Sequence, residues 1–148
     1  MPAIMRKMNV ISRCGGLYRT EKLPNTELGA CHHSFVLCIC NHPGMSQEQI
    51  ARHLCLNKST VARSLSHLEK YGYVTRAVSD TDKRVTQVFP TEKMLESFPK
   101  VRAITREWNE LLSQDLSEEE MTLFWDILNR MEARAKELTE TAGGDSAK

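Results

Sequence analysis

The sequence predicts a mainly α-helical fold with one small β-hairpin. Two short amphipathic helical segments lie between residues 46 and 71, and only a few residues separate them. Two runs rich in β-branched and aromatic residues follow, with a polar, turn-forming segment between them. Longer amphipathic segments precede and follow this unit. The order of these elements predicts a winged helix-turn-helix with N- and C-terminal dimerisation helices.

Two helices are predicted before the helix-turn-helix. Residues 4–22 carry apolar side chains at helical spacing, and Pro24 marks the break after them. Residues 28–41 are apolar almost all round, and Pro43 lies just beyond their end. A helix with this composition is typically buried, so we expect the second helix to lie at the centre of the domain.

The helix-turn-helix has local capping signals. Ser46 and Gln49 have the spacing of a capping box at the start of its first helix. Residues 55–56 are expected to form the turn. Asn57 is the expected N-cap of the second helix, and Gly72 is expected to end that helix.

The elements after the helix-turn-helix are a hairpin and two long helices. Residues 73–78 and 85–89 predict the two strands of the hairpin, which forms the wing. Thr91 is the expected N-cap of the next helix, in which Pro99 either bends the helix or marks a late start. Residues 117–120 have the sequence of a second capping box, so they are expected to begin the last helix.

The predicted domain organisation follows from the apolar surface that the helix-turn-helix domain does not cover. Residues 27–90 can close a core of their own as the winged helix-turn-helix domain. Residues 1–26 and 91–138 then carry wide apolar stripes with little to cover, which is typical of an association surface. We therefore expect a homodimer, the alternative being that these helices fold back on their own domain. Residues 139–148 are small and polar and are expected to form a flexible tail.

Composition argues against several other classes of protein. The longest apolar run, Phe35 to Cys40, is far too short to span a membrane, and basic residues interrupt the apolar segment that a signal peptide needs. The five cysteines are odd in number, which favours reduced thiols over a secreted disulfide framework. We therefore expect a cytoplasmic protein that needs no cofactor. No phosphate loop, nucleophile elbow or pair of carboxylates indicates an enzyme.

Charge is unevenly distributed along the chain. Residues 1–44 and 45–90 each carry a net charge of +3, whereas residues 91–148 carry −5. A basic middle segment favours contact with a polyanion. The outer face of the second helix of the helix-turn-helix is polar and basic, which favours DNA over a protein partner. The residues of this helix expected to contact double-stranded DNA are Asn57, Lys58, Ser59, Thr60, Arg63, Ser64 and His67.

Base contacts are expected from Arg63 and from the tip of the wing. Arg63 lies in the early turns of the helix and suits a bidentate contact with guanine. Arg84 suits a narrow minor groove with strongly negative potential, and Lys83 suits a phosphate. Asp82 is expected to orient Arg84 by a charge-assisted hydrogen bond; the alternative is a solvated ion pair that contributes little.

These motifs together resemble the MarR family of bacterial winged helix-turn-helix regulators. The matching residues are Q-I-A-R-H-L-C-L-N-K-S-T-V-A-R-S-L-S-H-L-E-K-Y-G-Y-V at 49–74, D-T-D-K-R at 80–84 and P-T-E-K at 90–93. The resemblance implies a homodimeric, sequence-specific regulator, most often a repressor, whose DNA affinity responds to a small molecule or an oxidant. It also implies that residues 57–71 enter the major groove and that Arg84 enters the minor groove. A two-fold dimer implies a pseudo-palindromic operator.

The sequence leaves the nature of the signal open. Cys14 and Tyr18, in C-G-G-L-Y, resemble the first-helix cysteine and tyrosine of OhrR-type peroxide sensors, although their flanking residues differ. The alternative is that Cys14 is an inert, buried helix residue. A small aromatic effector is a further possibility, with candidate pocket residues that are also explained as ordinary core: Phe35, Met94, Phe98 and Trp108.

A metal site is not expected. Cys31, His32 and His33 are adjacent in sequence, with His42 further on. Neighbouring residues of a helix point in different directions and therefore rarely converge on one ion.

Overall fold

The computed structural model describes residues 3–29 and 31–144 of the 148-residue chain. These residues form a mainly helical fold with a two-stranded antiparallel hairpin, which confirms the predicted fold class. The elements in chain order are α1 (Ile4–Lys22), α2 (His33–Asn41), α3 (Gln47–Leu54), α4 (Lys58–Lys70), β1 (Val74–Val78), β2 (Thr86–Pro90), α5 (Glu92–Ser113) and α6 (Glu118–Gly144).

The chain divides into two compact units between Trp108 and Asn109. The core of the first unit is built from α2, the helix-turn-helix, the hairpin and the first half of α5. Each large apolar side chain that is fully buried there stabilises the fold by about 1.5–3 kcal/mol. The largest are Phe35, Ile39, Ile50, Leu65, Leu68 and Met94.

Helix α2 begins later than the sequence predicts. The prediction of a helix over residues 28–41 is wrong for its first residues, because α2 starts at His33. The Gly29 N–H donates to Nδ1 of His32 at 3.0 Å, and the His32 N–H donates to the Gly29 carbonyl at 2.9 Å. These two contacts close a turn before the helix, and Gly29 has little helical preference to oppose it.

The predicted caps of the helix-turn-helix are confirmed. The Ser46 hydroxyl accepts from the Gln49 N–H at 3.1 Å, and the Gln49 side chain accepts from the Ser46 N–H at 2.8 Å. Oδ1 of Asn57 accepts from the Thr60 N–H at 2.8 Å and so caps α4. Cys55 lies in the turn with a left-handed φ of 52°.

The base of the wing is attached to the segment before α3. In the hairpin, Val74 pairs with Pro90 and Val78 pairs with Thr86. On the other side of β2, the Val88 N–H donates to the Met45 carbonyl at 2.9 Å, and the Gly44 N–H donates to the Val88 carbonyl at 2.9 Å. Both backbone groups of Val88 bind the segment before α3, and β2 pairs with β1 on its opposite edge, so β2 is hydrogen-bonded along both edges.

Gly44 has a φ of +87°, which strongly favours glycine. A Cβ at this position would lie 3.2 Å from the Phe89 ring. Conformation and space therefore both favour glycine where the chain turns beside β2.

The two long helices also begin at predicted caps. The Thr91 hydroxyl accepts from the Met94 N–H at 3.3 Å and donates to the Gly72 carbonyl at 2.6 Å. Pro99 lies within α5 without ending it. At the start of α6, the Ser117 hydroxyl accepts from the Glu120 N–H at 3.2 Å, and the Glu120 carboxylate accepts from the Ser117 N–H at 2.8 Å.

The final helix is longer than predicted. The sequence predicted a tail from residue 139, but α6 continues to Gly144, since this helix contains no proline and no glycine before Gly143. The rest of that predicted tail, residues 145–148, lies outside the described residues. Several large apolar side chains of this helix are exposed: Leu123, Phe124, Trp125, Ile127 and Leu138. In the part of the chain that the structure describes, no helix is long and apolar enough to cross a membrane.

Candidate nucleic-acid interface

The first turns of α4 present polar side chains to solvent. Oδ1 of Asn57 accepts both the Thr60 N–H at 2.8 Å and the Ser59 hydroxyl at 2.9 Å. The capping role therefore occupies the Asn57 oxygen and leaves its amide nitrogen for an outside partner. Arg63 is exposed and makes no hydrogen bond or ion pair with the described residues.

The wing tip holds Arg84 in a defined orientation. The Asp82 carboxylate accepts from the Arg84 N–H at 3.0 Å, from its Nε at 3.2 Å and from its Nη2 at 3.3 Å. These hydrogen bonds from Arg84 lower the pKa of Asp82, so the carboxylate stays charged. The Arg84 side chain is 90% exposed, and it therefore projects from the tip while being held on one side only. Lys83 is exposed beside it.

Ser79 organises the wing loop, although the sequence analysis did not select it. It is buried at the end of β1, and its hydroxyl accepts from the N–H groups of Thr81 at 3.3 Å and Asp82 at 3.4 Å. The Ser79 N–H donates to the Val85 carbonyl at 2.8 Å and closes the loop. A serine ahead of a turn-forming run is the local signal that could have identified this role.

A notch lies between the helix-turn-helix and the wing. It has a volume of about 300 Å³, and residues from the start of α3, the start of α4 and the wing line it. Lys58 and Arg84 both line this notch, so α4, which is the predicted recognition helix, and the wing present cations to one concavity. Glu48 also lines it, with its carboxylate 3.4 Å from Nζ of Lys58. The lining residues are Ser46, Gln47, Glu48, Lys58, Arg84, Val85 and Thr86.

A half-buried arginine connects the recognition helix to the wing. Arg76 of β1 donates from Nε and Nη2 to the Glu69 carboxylate, at 3.1 and 2.7 Å, and from Nη2 to the Ser66 hydroxyl at 3.2 Å. These hydrogen bonds lower the pKa of Glu69. Sequence reasoning missed this residue because its partners lie on another element.

His67 lies in a network with the loop before α2. Its Nε2 donates to the Glu27 carbonyl at 2.8 Å, and its ring stacks on His32 at 4.5 Å between centroids. The ring of Tyr71 also packs against His67, with ring centroids 4.7 Å apart. Burial lowers the pKa of His32, and the neighbouring His67 adds to this effect. The structure therefore gives His67 an internal partner, unlike Arg63.

The carboxylate of Glu27 extends this network to α5. It accepts from the Tyr73 hydroxyl at 3.0 Å and from Nζ of Lys93 at 3.3 Å. Burial, together with the hydrogen bond to Glu27, raises the pKa of Tyr73 to about 12. The loop before α2 is thus connected to α4, to α5 and to Tyr73, which immediately precedes β1.

A larger cavity of about 740 Å³ lies among α1, α2 and α4. Two arginines of α1, Arg13 and Arg19, line it. Nε of Arg19 is buried and has no hydrogen-bond partner among the described residues, and burial lowers the pKa of Arg19. The cavity therefore combines apolar walls with two arginine side chains. The lining residues are Ser12, Arg13, Gly16, Leu17, Arg19, Thr20, Cys31, His33, Ser34, Phe35, Leu56, Thr60 and Ser64.

The residues predicted for an effector pocket are not brought together in this cavity. Of the four, Phe35 lines it. Met94 is fully buried in the core, and Phe98 packs against the core. The Trp108 ring packs against Tyr18, with centroids 5.3 Å apart. An aromatic residue at helical spacing looks the same in sequence whether it lines a core or a pocket.

The cysteines differ in exposure. Cys14, Cys31 and Cys55 are exposed, so the interpretation of Cys14 as a buried residue is wrong for the single chain. Burial raises the pKa of Cys38, and that of Cys40 to about 11. Within residues 3–29 and 31–144, no group of three or more histidine, cysteine or acidic residues is arranged to hold a metal ion.

Comparisons with known proteins agree with this geometry. The model of the MarR family matches residues 32–86. An uncharacterized HTH-type transcriptional regulator, YybA of Bacillus subtilis (strain 168), is 24% identical over 131 residues, which cover 88% of this chain and 87% of that protein.

Two solved structures share the fold over nearly the whole chain. The transcriptional regulator SlyA is 27% identical, with a TM-score of 0.86 over 95% of this chain and 99% of that chain. A protein from Listeria monocytogenes, solved in complex with 26mer DNA, is 23% identical, with a TM-score of 0.84 over 90% of this chain and 89% of that chain.

Proposed function

We infer that the chain is a member of the MarR family, whose model matches residues 32–86, and we propose that it is a sequence-specific, double-stranded DNA-binding transcriptional regulator that acts as a repressor. The observation that carries the proposal is the shared notch, where Lys58 of α4 and Arg84 of the wing line one concavity. With this arrangement α4 enters the major groove while Arg84 reaches the adjacent minor groove. The protein of similar fold from Listeria monocytogenes was solved with 26mer DNA, which supports DNA binding by this fold.

We further propose that the regulator acts as a homodimer. Exposed apolar side chains are concentrated on α1 and α6, and a soluble chain rarely leaves surfaces of this kind uncovered. A two-fold interface would cover the same face on both copies and would present two recognition helices to a pseudo-palindromic operator. Light scattering at micromolar concentration tests the dimer, and a monomeric mass would contradict it.

Selection of bound duplexes from a random pool tests the DNA-binding function. We expect an enriched sequence with two related half-sites. Arg63→Ala and Arg84→Ala should each weaken binding to the selected duplex by about 1–3 kcal/mol, because each removes a base contact. Arg102→Ala removes the same kind of charge from an exposed position of α5 and serves as the control. Failure to enrich any sequence, or unchanged affinity of both variants, would contradict the assignment.

We propose that the cavity among α1, α2 and α4 binds a small anionic effector that releases DNA. The two arginines that line the cavity, Arg13 and Arg19, favour a carboxylate, and the apolar walls favour an aromatic or aliphatic body. Thr60 and Ser64 of the recognition helix line the same cavity, so an occupant would contact the helix that contacts DNA.

Benzoate and its neutral counterpart benzamide test this effector proposal. We expect benzoate-type carboxylates to bind and to weaken the DNA complex, whereas benzamide has no effect. Arg19→Gln should lose this response and keep its DNA affinity in the absence of the compound. Equal responses of the variant and the wild type, or equal effects of the two compounds, would show that the cavity is not the site.

Peroxide sensing by Cys14 is a second candidate for the signal, since the Cys14 thiol is exposed. If it is correct, cumene hydroperoxide weakens DNA binding of the wild type and leaves Cys14→Ser unaffected. Unchanged binding of the wild type after treatment would exclude it.

A further inference from the structure

An acidic side chain lies in the notch that is proposed to accept DNA. Glu48 belongs to the first turn of α3, and its Oε1 lies 3.4 Å from Nζ of Lys58. The two side chains are 61% and 78% exposed, in the order Glu48 and Lys58. Arg84 and Thr86 of the wing line the same notch. A phosphate that enters the notch would therefore meet two cations and one carboxylate.

This ion pair contributes little to folding. Both partners are exposed, and pairs of this kind are strongly screened by water and salt. The start of α3 is already satisfied by the Ser46 and Gln49 capping box, and its inward face is held by the fully buried Ile50. Removal of the Glu48 charge is therefore expected to leave the fold intact and to change the electrostatics of the notch alone.

We propose that Glu48 restrains phosphate binding by competing with the DNA backbone for Lys58. The proposal rests on the proposed DNA-binding function. In the free protein the Glu48 carboxylate is paired with the Lys58 ammonium group, and a DNA phosphate has to displace this carboxylate before it can bind Lys58. Non-specific binding has almost only phosphate contacts with which to offset this displacement. The same cost applies to an operator, but base contacts from Arg63 and Arg84 offset it there, so Glu48 suppresses weak binding to random DNA while operator binding persists.

The variant Glu48→Gln keeps the size of the side chain and removes its charge. Fluorescence anisotropy with a random-sequence duplex and with the selected operator, over a range of salt concentrations, measures the effect. We expect binding to random duplex to strengthen by roughly 3- to 10-fold at low salt. The slope of log affinity against log salt should steepen by up to about 0.9 per subunit, because Lys58 then neutralises a phosphate and releases a cation condensed on the DNA.

The matched control is Glu96→Gln, which removes the same charge from an exposed position of α5 outside the notch. Lys58→Met removes the partner of Glu48. In the Lys58→Met background, Glu48→Gln should produce a much smaller gain than it does in the wild type, because there is no ammonium group left to release. The coupling between the two changes is the quantity that a double-mutant cycle measures.

The possible results are distinguishable. An equal gain from Glu48→Gln in both backgrounds, an equal gain from Glu96→Gln, or no gain at all would overturn the role of Glu48 while the wild type still binds DNA. If the wild type and every variant bind no duplex even at low salt, the proposed DNA-binding function is wrong, and the role of Glu48 is wrong with it.

Discussion

The contact between Asp82 and Arg84 predicts that removal of an acidic side chain will weaken DNA binding. Asp82 is the only described residue that holds the Arg84 guanidinium, through its Nε at 3.2 Å and its Nη2 at 3.3 Å. Asp82→Ala leaves Arg84 in place but frees its side chain. The wing arginine then has to be ordered when DNA binds, instead of beforehand.

Two effects of Asp82→Ala oppose each other. Immobilising a side chain with many rotamers on binding costs about 0.5–1.5 kcal/mol, so the loss of ordering at Arg84 should weaken affinity by roughly 2- to 12-fold. Removing a negative charge about 8 Å from a phosphate in a water-like dielectric strengthens affinity by roughly twofold before salt screening. The loss of ordering is the larger effect, so we expect a net weakening of a few-fold.

A comparison in two backgrounds separates the effects. Asp82→Ala should weaken operator binding by the wild-type protein, but it should strengthen binding slightly in the Arg84→Ala background, where only the charge effect remains. The assay is operator affinity by fluorescence anisotropy at fixed salt, with thermal unfolding of each variant as the control for folding. Strengthened binding in both backgrounds would refute the role of Asp82 as a brace for Arg84.

Three further predictions concern the fold. Arg76→Ala should lower the free energy of unfolding by about 1–2 kcal/mol in urea denaturation, because it removes three charge-assisted hydrogen bonds at a partly exposed site. Arg76→Lys should lower it by less. Equal stability of Arg76→Ala and the wild type would contradict this. The lowered pKa of His32 means that the unfolded chain binds a proton more readily, so stability should fall as the pH drops through about 6.5. His32→Gln should reduce that dependence between pH 7.5 and 5.5, and an unchanged dependence would argue against it. Cys38 and Cys40 should react with iodoacetamide more slowly than the three exposed cysteines in native peptide mapping, since burial raises their pKa; equal rates would contradict their protection.

The features that the sequence predicted correctly depend on neighbours along the chain. The caps at Ser46, Asn57, Thr91 and Ser117 each join residues three positions apart, so their hydrogen bonds can be inferred from spacing. The start of α2 was wrong because apolar composition does not show where a helix begins. The side chain of His32 binds the Gly29 N–H and closes a turn there.

The features of the candidate site also divide into those that depend on neighbours along the chain and those that depend on partners from other elements. The pairing of Asp82 with Arg84 spans two residues and was predicted as a brace. The roles of Arg76 and Glu48 depend on partners from other elements, and no local spacing indicates them. The cationic cavity was missed for a similar reason, since only the folded chain leaves Nε of Arg19 buried without a partner.

The hydrogen bonds on both edges of β2 have a mechanical consequence. Because Met45 and Gly44 bind β2 from one side and β1 binds it from the other, the wing has no free hinge at its base. Arg76 adds a second attachment, from β1 to α4. We therefore expect the helix-turn-helix and the wing to move as one rigid body. We expect a signal that displaces α4 to carry Arg84 with it, so that both of the proposed groove contacts are lost or gained in a single step.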